Sequence, residues 1–182
     1  MNNILILIIS FVVLLVVFII TLIIISKSQI NECITSIEIA NDDINNSLRQ
    51  KYAIYREIIT YIKDNLSIKE EAFQAFLEFD RKECSRNDLI NILDKTTFEI
   101  NEYVDNYDEL LKQKAFLDLK RKLYHVEMNL EAMIDYYNNK ITFYNDLKEK
   151  GPTSITSKLF YFEEYEKNSI DKKEISRLVN LN

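Results

Sequence analysis

Glycine and proline are almost absent from this chain. Its 182 residues contain one of each, and the two are adjacent, at Gly151 and Pro152. An average chain carries roughly 7% Gly and 5% Pro, and these residues form the turns that β-hairpins and most α/β loops require. Because glycine and proline are missing from the first 150 residues, the composition excludes a β or α/β fold and predicts an all-α protein.

Residues that carry catalytic and metal chemistry are also scarce. His125 is the only histidine, and it lacks the Glu-x-x-His pattern of di-metal helical bundles. Cys33 and Cys84 match no metal or redox spacing and suit a reducing compartment. A single glycine is too few for a Gly-rich phosphate loop. Glu127 and Glu131, four residues apart, are interpreted as ordinary helix surface. We therefore expect no enzyme activity, no metal and no cofactor.

Charge is missing from the start of the chain, where no ionisable side chain precedes Lys27. Residues Ile4 to Ile25 form an apolar run that only Ser10 and Thr21 interrupt. As a helix rising about 1.5 Å per residue, this run spans roughly 33 Å and can cross the ~30 Å hydrocarbon core of a bilayer. The run lacks a basic start and is longer than the apolar core of a signal peptide. It predicts an uncleaved transmembrane helix, with a cleaved signal and a buried soluble helix as the alternatives.

The distribution of charge predicts an orientation and a division of the chain. All 23 Lys and Arg residues follow the apolar run, so the positive-inside rule favours a cytoplasmic body and an outside N-terminus. We divide the chain into an outer tip (residues 1–3), a transmembrane helix (4–25), a helical bundle (26–152) and a C-terminal tail (153–182). The net charge of −6 belongs to the body and makes nucleic acid an unsuitable partner.

A heptad-like apolar stripe follows the anchor. Its members are Ile30, Ile34, Ile37, Ile44, Leu48, Tyr55, Ile58 and Ile62. Steps of three and four residues predict a long helix that packs against another helix. Asn41 and Lys51 are the polar positions of this stripe, and Asn41 is interpreted as a register-fixing core residue. No breaker separates the anchor from this helix, and a break is expected near Asn65, with Ser67 and Glu70 capping the next helix.

The second half of the body predicts further helices. Phe73, Phe76 and Leu77 share one face of the second segment, and a polar stretch covers residues 80–88; the pattern leaves open whether residues 68–105 form one helix or two. The next stripe predicts a long helix that ends at the Gly-Pro pair. Its members are Phe116, Leu119, Leu123, Val126, Leu130, Met133, Tyr137, Tyr144 and Leu147. The aromatic cluster of residues 159–162 is read as a returning helix on the bundle, or as a membrane-surface contact.

Two segments resemble a known family. The first is ANDDINNSLRQKY at residues 40–52, and the second follows the spacing F-x-x-L-x-x-x-L-x-x-x-E from Phe116, with two Tyr-Asn pairs and a proline after it. Together with one N-terminal span, they resemble the LemA family of bacterial membrane proteins. The resemblance implies a cytoplasmic antiparallel helical bundle without established catalytic activity. Its candidate interaction or bundle-defining residues are Asp43, Leu48, Phe116, Glu127, Tyr137, Asn138, Tyr144, Asn145 and Pro152.

The paired Tyr-Asn motif has a physical interpretation. Residues seven apart lie on one helix face, so Tyr137 and Tyr144 are expected to insert their rings into the bundle seam. Asn138 and Asn145 then lie beside the seam, where they serve structural packing or recognition of a partner.

These patterns favour a non-catalytic scaffold or interaction module at the cytoplasmic membrane. Its expected partners are the lipid bilayer and membrane or cytoplasmic proteins that the sequence does not identify. A second copy of the chain is another candidate partner, because heptad stripes can pack against each other between chains as well as within one. The alternatives are a transmembrane signalling or sensor stalk and an outward-facing envelope structural protein.

Overall fold

The computed structural model describes residues 2–68, 71–79 and 84–167, and this part of the chain contains helices and no strand. The five α-helices found there are α1 (Asn2–Asn65), α2 (Gln74–Leu77), α3 (Arg86–Asn106), α4 (Lys114–Glu149) and α5 (Thr153–Leu159). A short 3-10 turn, Leu110–Lys112, precedes α4. The prediction of an all-α fold with a long apolar N-terminal helix is therefore confirmed.

Helix α1 carries the apolar run into the body without interruption. It has no glycine or proline, and it ends at Asn65, where a break was predicted. Of the predicted stripe, only Ile34 and Asn41 are half-buried, and the other positions, Lys51 included, are buried. Asn41 accepts a hydrogen bond of 2.6 Å from Arg86 Nη1, so this polar position holds a tertiary contact.

Close contacts divide the chain into two units. Of the described residues, the first unit combines those up to 40 with those from 136 onwards, and the second unit contains those between 41 and 135. Both units therefore include a part of α1 and a part of α4. The last fifteen or so residues of the predicted tail, 168–182, lie outside the described residues.

In the second unit, α1 and α4 run antiparallel. Polar contacts join Ser47 to Asn129 at 3.3 Å and Glu57 to Lys122 at 3.2 Å, so residue numbers rise along one helix as they fall along the other. Farther along the same pair, the Tyr61 hydroxyl hydrogen-bonds to Gln113, just before α4 begins. The helix-on-helix packing that the stripes predicted, and the antiparallel direction that the family resemblance implied, are both present in this unit.

Helices α2 and α3 also belong to the second unit. The part of residues 68–105 that the structure describes therefore contains two separate helices. Helix α2 begins after Phe73, whose backbone is left-handed with φ 62°, and not after Ser67; Glu70, the other half of the predicted cap, lies outside the described residues. Phe73 and Phe76 are buried, but Leu77 is exposed. The predicted shared face of these three residues is wrong, because Phe73 precedes α2 with a left-handed backbone and so lies outside the helix.

Ser85 determines where α3 begins. Its hydroxyl accepts from the Asp88 backbone N–H at 3.2 Å, while the Asp88 carboxylate accepts from the Ser85 N–H at 3.0 Å. This reciprocal capping box satisfies backbone donors that a helix start would otherwise leave unpaired. The predicted polar stretch therefore contains a helix start within it.

In the first unit, α1 and α4 pack around a small apolar core. The buried members are Ile30, Cys33, Ile37, Ile141 and Tyr144. Helix α4 ends before Gly151, which has φ +67°, a backbone conformation that L side chains rarely adopt. Pro152 follows and precedes α5, so the Gly-Pro pair ends one helix and introduces a short second one.

The buried stripe of α4 differs from the predicted one. Glu127, Ile134 and Ile141 are buried, whereas Leu119, Val126, Met133, Tyr137 and Leu147 are half-buried. The buried residues repeat every seven positions in two sets, Phe116, Leu123, Leu130 and Tyr144 in the first and Glu127, Ile134 and Ile141 in the second. The second set lies four residues after positions of the first set, whereas the predicted stripe used the positions three residues after them. The predicted spacing assigned residues beside the core to the core itself.

Candidate functional site

A buried ion pair joins the two long helices of the second unit. Lys51 of α1 and Glu127 of α4 are separated by 3.0 Å between Nζ and Oε1, and their side chains are 4% and 1% exposed. Charged side chains are almost never fully buried without a partner. The sequence interpretation of Glu127 as helix surface is therefore wrong, because its side chain points into the helix interface.

Tyr55 and Thr97 extend this pair into a polar cluster inside the core. The Lys51 ammonium lies 5.3 Å from the centre of the Tyr55 ring. The hydroxyls of Tyr55 and Thr97 are 2.5 Å apart, and Thr97 Oγ1 also donates to the Leu93 carbonyl at 2.8 Å. Since a hydroxyl has one proton, Tyr55 donates to Thr97 and Thr97 donates to Leu93. The chain of contacts thus links α1, α3 and α4.

Burial shapes the protonation of this cluster. It raises the pKa of the Glu127 carboxyl, and the attraction of Lys51 offsets only a part of that rise. Burial by itself lowers the pKa of Lys51, but the electrostatic effects of Tyr55 and Glu127 outweigh it, so the pKa lies above its ordinary value. Burial also raises the pKa of Tyr55 to about 12. Lys51 is therefore cationic and Tyr55 neutral at physiological pH.

The cluster offers little to bind a ligand. Glu127 Oε2 has no hydrogen-bond partner among the described residues, but the carboxylate is enclosed by the helix interface. The described part of the chain holds no group of three or more His, Cys, Asp or Glu residues that could bind a metal ion. His125 is exposed on α4, where its ring lies 5.8 Å from that of Tyr124. The arrangement is suited to fixing helix register.

The Tyr-Asn residues occupy the first unit, where they hold the segment after α5. Tyr144 is fully buried, and its hydroxyl donates to the Glu163 carbonyl at 2.6 Å. Tyr137 is half-buried and donates to the Glu166 carbonyl at 3.2 Å. The Tyr165 ring lies edge-on to Tyr144, with 5.5 Å between ring centres. Two tyrosines seven residues apart thus bind the tail backbone at two points three residues apart.

This tail contact differs from the predicted returning helix. Helix α5 ends at Leu159, and Phe160 has an extended backbone with φ −122° and ψ 145°. Phe162 and Tyr165 pack against the apolar core of the first unit, whereas Tyr161 is 93% exposed. The sequence did not reveal this arrangement, because tyrosine hydroxyls bound to backbone carbonyls leave no periodic signal in the tail.

The remaining candidate residues divide between core and surface. Leu48 and Phe116 are buried, and the Phe116 ring lies 5.9 Å from that of Tyr61. Exposed positions include Asp43, Asn145 and Pro152, while Asn138 is half-buried. Ile4 and Ile25, the ends of the apolar run, are exposed. The structure therefore brings Lys51 and Glu127 together and leaves Asp43 and Asn145 on the surface.

The fold and these contacts define a class of protein with one apolar N-terminal helix and an antiparallel helical body. Among the described residues, α1 is the one helix long and apolar enough to cross a membrane. The model of the LemA family matches residues 40–182, and the chain belongs to that family. The resemblance seen in the sequence is thereby confirmed. No curated protein and no solved structure matches the chain significantly.

Proposed function

We propose that this LemA-family chain is a non-catalytic scaffold, anchored in the cytoplasmic membrane by the apolar part of α1, which presents its helical body to other proteins. The observation that carries the proposal is the unburied apolar run at the start of α1, a helix long and apolar enough to cross a membrane. One helix contains both the unburied apolar run and the stripe that forms the helix interface. The body is therefore joined to the anchor by a helix and not by a flexible linker.

The core contacts support a binding role over a catalytic one. The buried Lys51 and Glu127 side chains pair with each other, whereas several large apolar side chains of the described body are exposed and available to a partner. Phe98 of α3 is 71% exposed, and Met128 of α4 is also exposed. Large exposed apolar residues on a soluble body are candidates for protein contacts. Confinement to the bilayer raises the local concentration of such surfaces around membrane partners.

The orientation follows from the distribution of charge, and cysteine labelling tests it. In a background with Cys33→Ser and Cys84→Ser, single cysteines replace either Asn3, before the run, or Phe98, in the body. Both positions are exposed, so denaturation is not needed to reach them. A membrane-impermeant maleimide should label Asn3→Cys on intact cells and Phe98→Cys only after permeabilisation. Labelling of Phe98→Cys on intact cells would support the envelope protein instead.

A photocrosslinking amino acid at Phe98 tests the scaffold role. It should yield a discrete adduct in cells, and the adduct should disappear when the apolar run is removed, because the partner is met at the membrane. An exposed polar position on a different helix of the same unit, Asn46 of α1, is the control and should give less adduct. An equal yield at both positions, or a yield independent of the anchor, would argue against a membrane scaffold.

The signalling stalk is a second candidate that the continuity of α1 favours. An uninterrupted helix can transmit a rotation or a shift, whereas a flexible linker cannot. Insertion of three glycines after Lys27 separates the two functions, because glycine disfavours helix. A scaffold should keep its crosslinked partner after this insertion, while a stalk should lose its response.

A further inference from the structure

Helix α5 buries polar side chains and exposes apolar ones. Thr153 and Thr156 are buried, whereas Ile155 and Leu159 are 60% and 61% exposed. Ile155 and Leu159 are four residues apart, so they share one helix face. A surface helix of a water-soluble body normally has the opposite pattern, with its apolar stripe turned to the core. The outer face of α5 is therefore suited to an apolar environment.

The exposed apolar surface continues beyond the helix. Phe160 and Tyr161 are both exposed, and together with Ile155 and Leu159 they form what we call the α5 patch. The Phe160 ring lies 4.5 Å from the ammonium of Lys27. Lys27 is the first charged residue after the apolar run. The α5 patch thus lies beside the end of that run.

The end of α4 also places α5 beside the end of the apolar run. The Cys33 thiol contacts the Lys140 carbonyl at 3.6 Å, and the Tyr144 ring is buried with Ile30. Residue numbers therefore fall along α1 as they rise along α4, which ends at Glu149. At the same rise of about 1.5 Å per residue, nine residues beyond Lys140 correspond to the level of residue 24 in α1. Helix α4 ends beside the last turn of the apolar run, and α5 starts there.

We propose that the α5 patch inserts into the interfacial layer of the bilayer that holds α1, so that the protein has a second, peripheral membrane contact. The inference rests on the proposed membrane anchoring. The bilayer is the chosen occupant because the patch is continuous with the exposed apolar face of α1. Tyrosine at the edge of an apolar patch is typical of the membrane–water interface. Lys27 lies against Phe160 of the patch, and Lys158 lies within α5 between Ile155 and Leu159. The long side chains of lysines can reach the headgroups.

Tryptophan fluorescence tests the insertion, because the chain has no tryptophan of its own. The full chain is reconstituted into vesicles of phosphatidylcholine and phosphatidylglycerol that carry a nitroxide quencher near the headgroup or near the end of the acyl chain. Tyr161→Trp reports on the patch. Tyr136→Trp is the matched control, because Tyr136 is also an exposed tyrosine. It lies on α4 four residues before Lys140, whose carbonyl contacts Cys33, and therefore farther from the apolar run than the end of α4. Phe18→Trp reports on the apolar run.

Distinct outcomes separate this inference from the anchoring itself. We expect loss of Tyr161→Trp emission with the headgroup quencher, loss of Phe18→Trp emission with the deep quencher, and little loss from Tyr136→Trp. Adding Ile155→Ser and Leu159→Ser to Tyr161→Trp should reduce its quenching. Quenching of Phe18→Trp alone would overturn the insertion and leave the anchor, and so would equal quenching of Tyr161→Trp and Tyr136→Trp. An unquenched Phe18→Trp would overturn both proposals.

Discussion

The buried ion pair allows a test of what holds the long helices in register. Removal of one member of a buried pair leaves an uncompensated charge and costs about 3–5 kcal/mol, whereas well-packed apolar replacement of both is often neutral or stabilising. Lys51→Met and Glu127→Leu are suitable changes, because each keeps the approximate volume of the side chain. We expect each single variant to lose about 3 kcal/mol or more and the double variant to stay close to the parent.

The assay is thermal unfolding of the full chain in detergent, followed by far-UV circular dichroism. For a chain of this size, 1 kcal/mol shifts the Tm by roughly 2–4 °C, so each single variant should unfold roughly 6–20 °C below the parent. The double variant should regain most of that loss. This non-additivity separates an ion pair from two independent packing contributions, which would add.

The pair between Glu57 and Lys122 is the matched control. It joins the same two helices at 3.2 Å, but its side chains are 52% and 59% exposed. Exposed pairs contribute about 0–1 kcal/mol, so Glu57→Leu and Lys122→Met should each change the Tm by only a few degrees. The reasoning would be refuted if the Lys51 and Glu127 losses simply added, or if the exposed pair cost as much as the buried one.

Three further predictions follow from the contacts. Because the pKa of Glu127 is raised above 4.5 in the folded state, the parent should lose stability relative to Glu127→Gln as pH rises from about 4.5 through the folded pKa; a gain would contradict this sign. Tyr55→Phe should cost about 0.5–1.5 kcal/mol in the same unfolding assay, and in a Thr97→Val background the additional cost should shrink. Tyr144→Phe removes the hydrogen bond to Glu163, so trypsin should cleave after Lys167 faster, whereas Tyr136→Phe should leave the rate unchanged.

The fold was largely predictable because the chain has so few breakers. One glycine and one proline leave helix as the default, and most members of the α1 stripe are buried. The stripe nevertheless misses other buried residues of that helix, namely Ser26, Cys33, Ala40, Ser47, Tyr52, Ile54 and Ile59. The end of α4 was predictable for the same reason, since Gly151 and Pro152 are punctuation that a helix does not tolerate in its interior. The start of α2 was not, because Phe73 adopts a left-handed backbone that no propensity favours.

The buried pair was only half visible in the sequence. Lys51 stands out as a charge within an apolar stripe, but its partner was assigned to the surface. Glu127 lies four residues after Leu123 and three before Leu130, so it shares the helix face of these two buried leucines. The carboxylate was nevertheless assigned to the surface, because a charged side chain is almost never buried without a partner. The ion pair could be predicted only by considering the stripes of α1 and α4 together. An unexplained cation in one stripe requires an anion in the facing one, and that requirement emerges only once the register of α1 against α4 is known.

The two tyrosine contacts bear on how the tail should be studied. Truncation after Pro152 is a simple way to test the tail for partner binding, but it would remove the Glu163 and Glu166 carbonyls from Tyr144 and Tyr137. It would also uncover the apolar core against which Phe162 and Tyr165 pack. Lost binding after truncation could therefore reflect a destabilised first unit. Substitutions confined to Ile155, Leu159 and Tyr161 avoid this problem, because those side chains are exposed, and a change in binding would then be a property of the surface itself.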